Sequence, residues 1–518
     1  MGENVCGDVA VDMPDQVPAD VDGNRVIRKA YWGIVPFLFL TTTLTYIDRS
    51  NVSFASLQFI PDLGLSAEQY GLGAGIFYIG YAVFQIPSNL VITRVGAPLW
   101  LGILIFGWGV VSACTSAMRT ATHYYAVRFL LGVFESGVFP GSWWHLQLYF
   151  TSLEVGFAYA AVSSSTALSN VIGAPLAAGI LYMDGVGGLR GWQWLFILEG
   201  CITAIYGIIL KDQYTLFLPG LSASADKLHF VLAPKPSSAY FLKPAERTWL
   251  AARQDRLQAA FNSKHSRQGN WWAAIPDWKI WYLSVCYAIV QFGITAVVYF
   301  NPFIVEALFF GGNFSGKAIK IQFADQHDRA WHTAKIALFS TVLWVPVGLG
   351  MIAVSWSAKH YRERNWHSSI PALIAGVCFL VVPPTIKASP AAGYVLIIIA
   401  ATGVWAPHGP MWSWPKTFLH GQGAAVGIAI FNGVGAIGGF CGPYVVGALV
   451  DRGGYVKCMQ VLGCLFLVLG IAIALYRPKD LESEHVVEEG SKEEVDCDAA
   501  SPRSIELTNS NESQVKTV

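Results

Sequence analysis

The stretch Tyr46-Ile47-Asp48-Arg49-Ser50-Asn51 decides the reading of this chain. It lies inside an apolar run, Trp32 to Leu57, and a run of about 20 mostly apolar residues is enough to cross a bilayer. An acid and a base at that depth each cost roughly 3 kcal/mol or more against lipid, so they face a partner or a wet cavity. Asp48 and Arg49 are therefore candidate functional residues before anything else is known.

Composition supports a membrane setting. Of 518 residues, 54% are hydrophobic and only 13% are charged, whereas soluble domains carry about 25% charged residues. Mean hydropathy is +0.45. Twelve spans can be read, at about 31–57, 69–92, 97–118, 122–149, 155–183, 192–218, 279–310, 335–357, 368–387, 391–418, 424–450 and 455–476. The expected fold class is an all-α membrane protein of twelve transmembrane helices in two six-helix bundles. The formal net charge is zero, which argues against nucleic acid as a partner. Nine cysteines carry no CxxC pair and read as small packing residues. No cleavable signal peptide or lipidation box is visible. No nucleophile–base pair, metal-ligand spacing or phosphate loop sits at a credible position, so no enzyme, cofactor or metal is expected.

The chain divides into an amino-terminal tail (1–30), a first bundle (31–218), a linker (219–278), a second bundle (279–476) and an acidic, Ser-rich tail (477–518) expected to be disordered. In the linker, Pro244 to Phe261 has the pattern of an amphipathic helix on the membrane surface. Arg25, Arg28 and Lys29, the linker bases, and Lys359, Arg362 and Arg364 fall on one side if spans alternate, while the loop 58–68 has no Lys or Arg. The positive-inside rule then puts both termini and the linker in the cytoplasm. The loop 311–334, with Lys317, Lys320 and Arg329, opposes this assignment but is outvoted. It also holds a sequon at Asn313-Phe314-Ser315. A monomer in the plasma membrane is the expected form.

The fourth span carries Arg128 and Glu135, seven residues apart and so on one helix face. Asp48, Arg49 and Arg128 fall in the outer half of the membrane and Glu135 near its middle. The four charges sum to zero, and residues 48 and 49 point about 100° apart on a helix. The expected pairs are Asp48 with Arg128 and Arg49 with Glu135. A static salt-bridge cluster that fixes helix packing is the plainer account, but buried pairs stabilise weakly after desolvation, and Gly71-x-x-x-Gly75 and Gly435-x-x-x-Gly439 offer small-residue packing instead. A switchable network is the alternative. An arriving anion takes an arginine and leaves a carboxylate to bind a proton; arginine stays charged throughout, so only Asp48 and Glu135 can carry it. Tyr78, Tyr81, Gln85, Ser163, Ser164, Thr166, Ser169, Asn170 and Asn432 add polarity to the interior. Tyr299, Phe300, Trp405 and Trp412 would set cavity shape. His145, His408 and Lys416, near span ends, are expected to face headgroups.

These residues resemble the major facilitator superfamily and, within it, the anion:cation symporter family. Tyr46-Ile-Asp-Arg-Ser-Asn-Val-Ser-Phe-Ala55 is similar to that family's first-span signature. So are Gly71 to Tyr81 and Gln85 to Leu90 in the second span, Arg128 to Gly141 in the fourth, and Gly191-Trp-Gln-Trp-Leu-Phe-Ile-Leu-Glu-Gly200 in the sixth. Pro244-Ala-Glu-Arg-Thr-Trp-Leu250, Arg362 to His367, Pro410 to Pro415 and Phe431 to Pro443 match further along. The resemblance implies two six-helix bundles around a substrate site, working by alternating access. It implies that Asp48 and Glu135 couple protons and that Arg49 and Arg128 bind the anion, with Tyr46, Tyr81, Thr166 and Asn432 lining the cavity. The family carries small organic anions such as tartrate, sugar acids, nicotinate and pantothenate. The chain departs from the pattern in the loop Thr93 to Leu99, which has no acid, at Ala358 and Ala436, and in the stretches 211–238 and 311–334. The expected activity is proton-coupled symport of a small organic anion; an uncoupled facilitator or exchanger, or a non-transporting receptor for the same ligand, is the alternative.

Overall fold

The computed structural model describes residues 21–211, 232–265, 275–311, 314, 326–361, 363–414 and 421–476. The acidic tail, the Asn313 sequon, Lys317, Lys320, Lys416 and most of the two unmatched stretches lie outside them.

The first half is built from α1 (Gly23–Leu63), α2 (Ala67–Val95), α3 (Ala97–Thr115), α4 (Ala121–Glu135), α5 (Val138–Gln147), α6 (Ser152–Leu181) and α7 (Gly191–Lys211). After the linker helix α8 (Pro244–His265) come α9 (Trp278–Phe309), α10 (Gln326–His360), α11 (Asn365–Ala388), α12 (Pro390–Trp405), α13 (His408–Ser413) and α14 (Gly421–Leu475). Local sequence explains the boundaries. Ser66 and Gln69 form a capping box that starts α2, and Thr151 and Glu154 do the same for α6. Gly64, in the left-handed region at φ 64°, ends α1.

These elements make twelve spans. Two of them are broken where one was expected to run through. The fourth span splits into α4 and α5 at Ser136–Gly137, and the tenth into α12 and α13 at Ala406–Pro407. Pro140 and Pro410 explain this: a proline has no N–H for the residue four back and its ring crowds that carbonyl. The residues four back are Ser136 and Ala406, at the breaks. Spans eleven and twelve run together as α14, separated by a kink at Gly453–Gly454, where Gly454 has φ 70°.

The halves meet where α2 packs on α14 and α6 on α10. Gly71 and Gly75 permit the first contact, because a Cβ at either would press into the backbone carbonyls of Pro443 and Phe440. Gly435 and Gly439 instead receive the rings of Tyr287 and Tyr78. Inside the first half, Gly80 and Gly132 let α2 and α4 touch backbone to backbone, which brings the fourth span against the second.

One membrane face, bearing the α1–α2 turn, is sealed across the halves. Asp62 bonds Arg190 at 3.0 Å and Arg329 at 2.9 Å. The side chain of Asp451 accepts from the backbone N–H groups of Ala67 and Glu68, at the start of α2, at 3.3 and 2.8 Å. The base at Arg329, discordant by charge counting, is thus neutralised by an acid of the other half. On the opposite face, where α1 begins, the linker rests on the first half. Glu246 bonds Lys29 at 2.6 Å, Arg253 bonds Glu154 at 2.9 Å, and the Phe241 ring sits on Gly33. Burial pushes the Glu246 carboxyl up, but the Lys29 and Lys243 bonds outweigh it and hold it below the usual carboxylate range. That contact is present at neutral pH and is lost as pH falls through the lowered value.

Candidate functional site

Three neighbouring positions of α1 point to three different helices. Asp48 turns to α3, where the Ser112 hydroxyl donates to its carboxylate at 2.7 Å. Arg49 turns to α4, with its Nε 2.6 Å and its Nη2 2.5 Å from Glu135 Oε2. Asn51 turns to α7 and donates to Glu199. Successive residues on a helix rotate by about 100°, which suffices for this fan.

The Arg49–Glu135 pair stands as the spacing suggested. Both contacts converge on one carboxylate oxygen, but only Nε donates a hydrogen bond to it; Nη2 and Oε1 have no hydrogen-bond partner. Glu135 is wholly buried, while the Arg49 side chain is 14% exposed. Four rings enclose its guanidinium: Tyr46, Phe77, Tyr81 and Phe139 lie with centroids 5.0 to 5.8 Å away. Such rings favour a cation through their quadrupoles and hold the fork in one orientation.

The expected Asp48–Arg128 pair does not form. Arg128, 1% exposed, reaches across the halves instead, and its Nη2 donates to the Tyr299 hydroxyl on α9 at 2.7 Å. The Phe77 ring lies 4.9 Å from its guanidinium carbon, so this ring sits between the two arginines. Nε and Nη1 of Arg128 are buried without partners. A helix wheel gives the direction of Asp48 but not which helix stands there, and Ser112 of α3 occupies the place.

Tyr46 and Tyr81 belong to the Arg49 cage, and Tyr81 lies near Asn432 on α14. Thr166 on α6 makes no hydrogen bond to the four charged residues; its carbonyl accepts from Asn170 at 2.9 Å. The second half contributes rings. Tyr287 stacks on Phe431 at 4.3 Å, Trp412 meets both edge-on, and His408 lies 3.3 Å from the Tyr287 hydroxyl. Trp405 packs away on Trp344. His145 does not face headgroups: it is fully buried beside the Tyr149 ring. His408 is half-buried inside the aromatic cluster, not at a membrane surface.

Sequence reasoning missed Phe77, Phe139, Ser112 and Glu199. Phe77 is four residues from a recognised position, Tyr81, on the same helix and therefore shares its face; Phe139 lies beyond the break at Ser136–Gly137 and carried no such signal. Ser112 carried no signal, since a lone serine in an apolar span is more often satisfied by its own backbone.

Twelve spans in two halves, with buried charges where the halves meet, define a multi-pass carrier. The chain belongs to the major facilitator superfamily, whose family model matches residues 38–439; it is a transporter of that superfamily. It is 32% identical to a protein of Agrobacterium vitis provisionally named a tartrate transporter, over 87% of this chain and 89% of that protein. It is 28% identical to the inner membrane transport protein RhmT of Escherichia coli strain K12, over 81% of this chain and 87% of the other. The fold matches the inward-open xylose transporter XylE of E. coli with a TM-score of 0.63 at 13% identity, covering 88% of this chain and 99% of that one.

Proposed function

We propose that this chain is a proton-coupled symporter of a small organic anion, working as a monomer in the plasma membrane with both termini and the linker in the cytoplasm. The observation that carries this reading is Arg128. A guanidinium buried where the halves meet, with two donors unspent, is matched by a carboxylate or phosphate and by little else, since its fork fits two oxygens at once.

Glu135 supplies the coupling. Arg49 pairs with it and is itself the more exposed arginine, lying beside the half-buried Tyr46. An anion that engages Arg49 draws it from Glu135. The abandoned carboxylate, in a site of low dielectric, then takes a proton, and Oε1 is free to receive it. Anion and proton arrive together because either alone leaves the core charged. Asp48, held by a neutral hydroxyl, is the second proton carrier. Tyr46, Tyr81, Thr166 and Asn432 line the path. In the described state the face of the α1–α2 turn is closed by the Asp62–Arg329 and Asp451–α2 contacts, so this state faces the cytoplasm.

Uptake of a panel of carboxylates by purified protein in liposomes, with and without an inward pH step, tests the reading. The names of relatives make a hydroxy-dicarboxylate the first compound to try. Glu135→Gln is expected to lose pH-driven accumulation and keep counterflow exchange. Accumulation that persists in Glu135→Gln removes Glu135 from the coupling step and favours an uncoupled carrier.

A further inference from the structure

A third carboxyl lies behind the arginine sites. Glu199 of α7 is 8% exposed, and Asn51, one turn along α1 from Asp48, is fully buried. Asn51 Nδ2 donates to Glu199 Oε1. Two oxygens of the same pair are left over, Asn51 Oδ1 and Glu199 Oε2, both buried and both without a donor. No lysine, arginine or histidine among the described residues pairs with Glu199, and the ionisable group that acts on it is another acid, Asp48. The next residue, Gly200, packs against Gly109 and Ala113 of α3.

An ionised Glu199 would stand at bilayer depth on a single amide donor, beside a carboxylate of like sign, and would leave the Asn51 carbonyl unsatisfied. Each of these is unfavourable in a low-dielectric interior. One hydrogen answers all three. With the proton on Oε2, the acid donates to Asn51 Oδ1 while Asn51 Nδ2 donates to Oε1, giving a cyclic acid–amide pair in which both orphan oxygens are used. We propose that Glu199 is a third proton-binding site of this protein, holding its hydrogen as a neutral acid locked to Asn51.

Charge counting agrees. Arg49 and Arg128 are balanced by Asp48 and Glu135, and a neutral Glu199 leaves the empty core at zero. The resident proton also has a positioning role: the locked pair fixes the face of α1 that turns Asp48 to Ser112. None of this depends on whether transport is proton-coupled.

Infrared spectroscopy of the full-length protein in liposomes at neutral pH reads the proton directly, because a protonated carboxyl has a carbonyl stretch that a carboxylate lacks. The wild-type band is expected to lose one component in Glu199→Gln and to keep it in Glu135→Gln. Gln is a neutral isostere able to form both bonds with Asn51, so uptake by Glu199→Gln is expected to stay within about twofold of wild type, with an unchanged pH profile. An identical band in wild type and Glu199→Gln overturns the proposal. Asn51→Ser keeps the acid and removes its cyclic partner, so it is expected to shift the same component; a component unmoved by Asn51→Ser also overturns it.

Discussion

The two halves of this carrier bring different chemistry to the same position. In the fourth span α4 stops at Glu135, five residues before Pro140; in the tenth, α12 stops at Trp405, five residues before Pro410. The breaks match, yet one half places a carboxylate there and the other a ring. The contrast is general. Among the described residues, Asp48, Arg49, Arg128, Glu135 and Glu199 all belong to the first half. The second half answers with Tyr287, Tyr299, Trp412 and Phe431. Under the proposed function, anion recognition and proton exchange at Glu135 are thereby confined to one bundle, and the other supplies shape and a single hydroxyl to Arg128. A carrier divided in this way can change what it accepts by altering rings without disturbing charge balance.

The strongest way to break this division is at Arg128. Arg128→Ala is expected to lower anion uptake about 100-fold or more, the scale for truncating a buried charged partner, and Arg128→Lys to restore only part of it, since a point charge lacks the planar fork. Near-normal uptake by a well-expressed Arg128→Ala would contradict its place in the anion site. Arg49→Ala comes next and acts on stability as well. It strands Glu135 in the interior, at a cost of about 3–5 kcal/mol, and thermal unfolding in detergent should show the loss. Adding Glu135→Gln should recover most of that stability but not uptake. A double variant no more stable than Arg49→Ala would mean that the pair does not act as a unit. The smallest effect belongs to the aromatic half. Trp412→Ala is expected to change the preference between aliphatic and aromatic carboxylates about 10-fold, the scale of one aromatic contact, with the proton-to-anion ratio unchanged. A changed ratio would mean that the halves do not divide as described.

How far the sequence could be read followed the same line. Asp48, Arg49, Arg128 and Glu135 stood out because ionised groups are rare in apolar spans, and the twelve spans because bilayer thickness fixes their length. The Arg49–Glu135 contact followed from helix geometry. The charge pattern points Asp48 to Arg128, whereas its partner, Ser112, is uncharged and comes from a helix whose placement only the fold decides. Pro140 and Pro410 were visible, but hydropathy carries through a broken helix and so hid the breaks at Ser136 and Ala406. Glu199 lay in a recognised segment without an assigned role; its meaning required Asn51 to be seen beside it. The place of His145 near a span end points to the membrane surface, yet it is buried because α5 turns that residue inward toward Tyr149.

Proton uptake on anion binding tests the exchange at Glu135 most directly. Purified protein is titrated with the transported anion in weakly buffered solution while pH is followed. The account predicts net uptake of about one proton per monoanion bound, lost in Glu135→Gln; tight anion binding by the wild type with no proton uptake would contradict it.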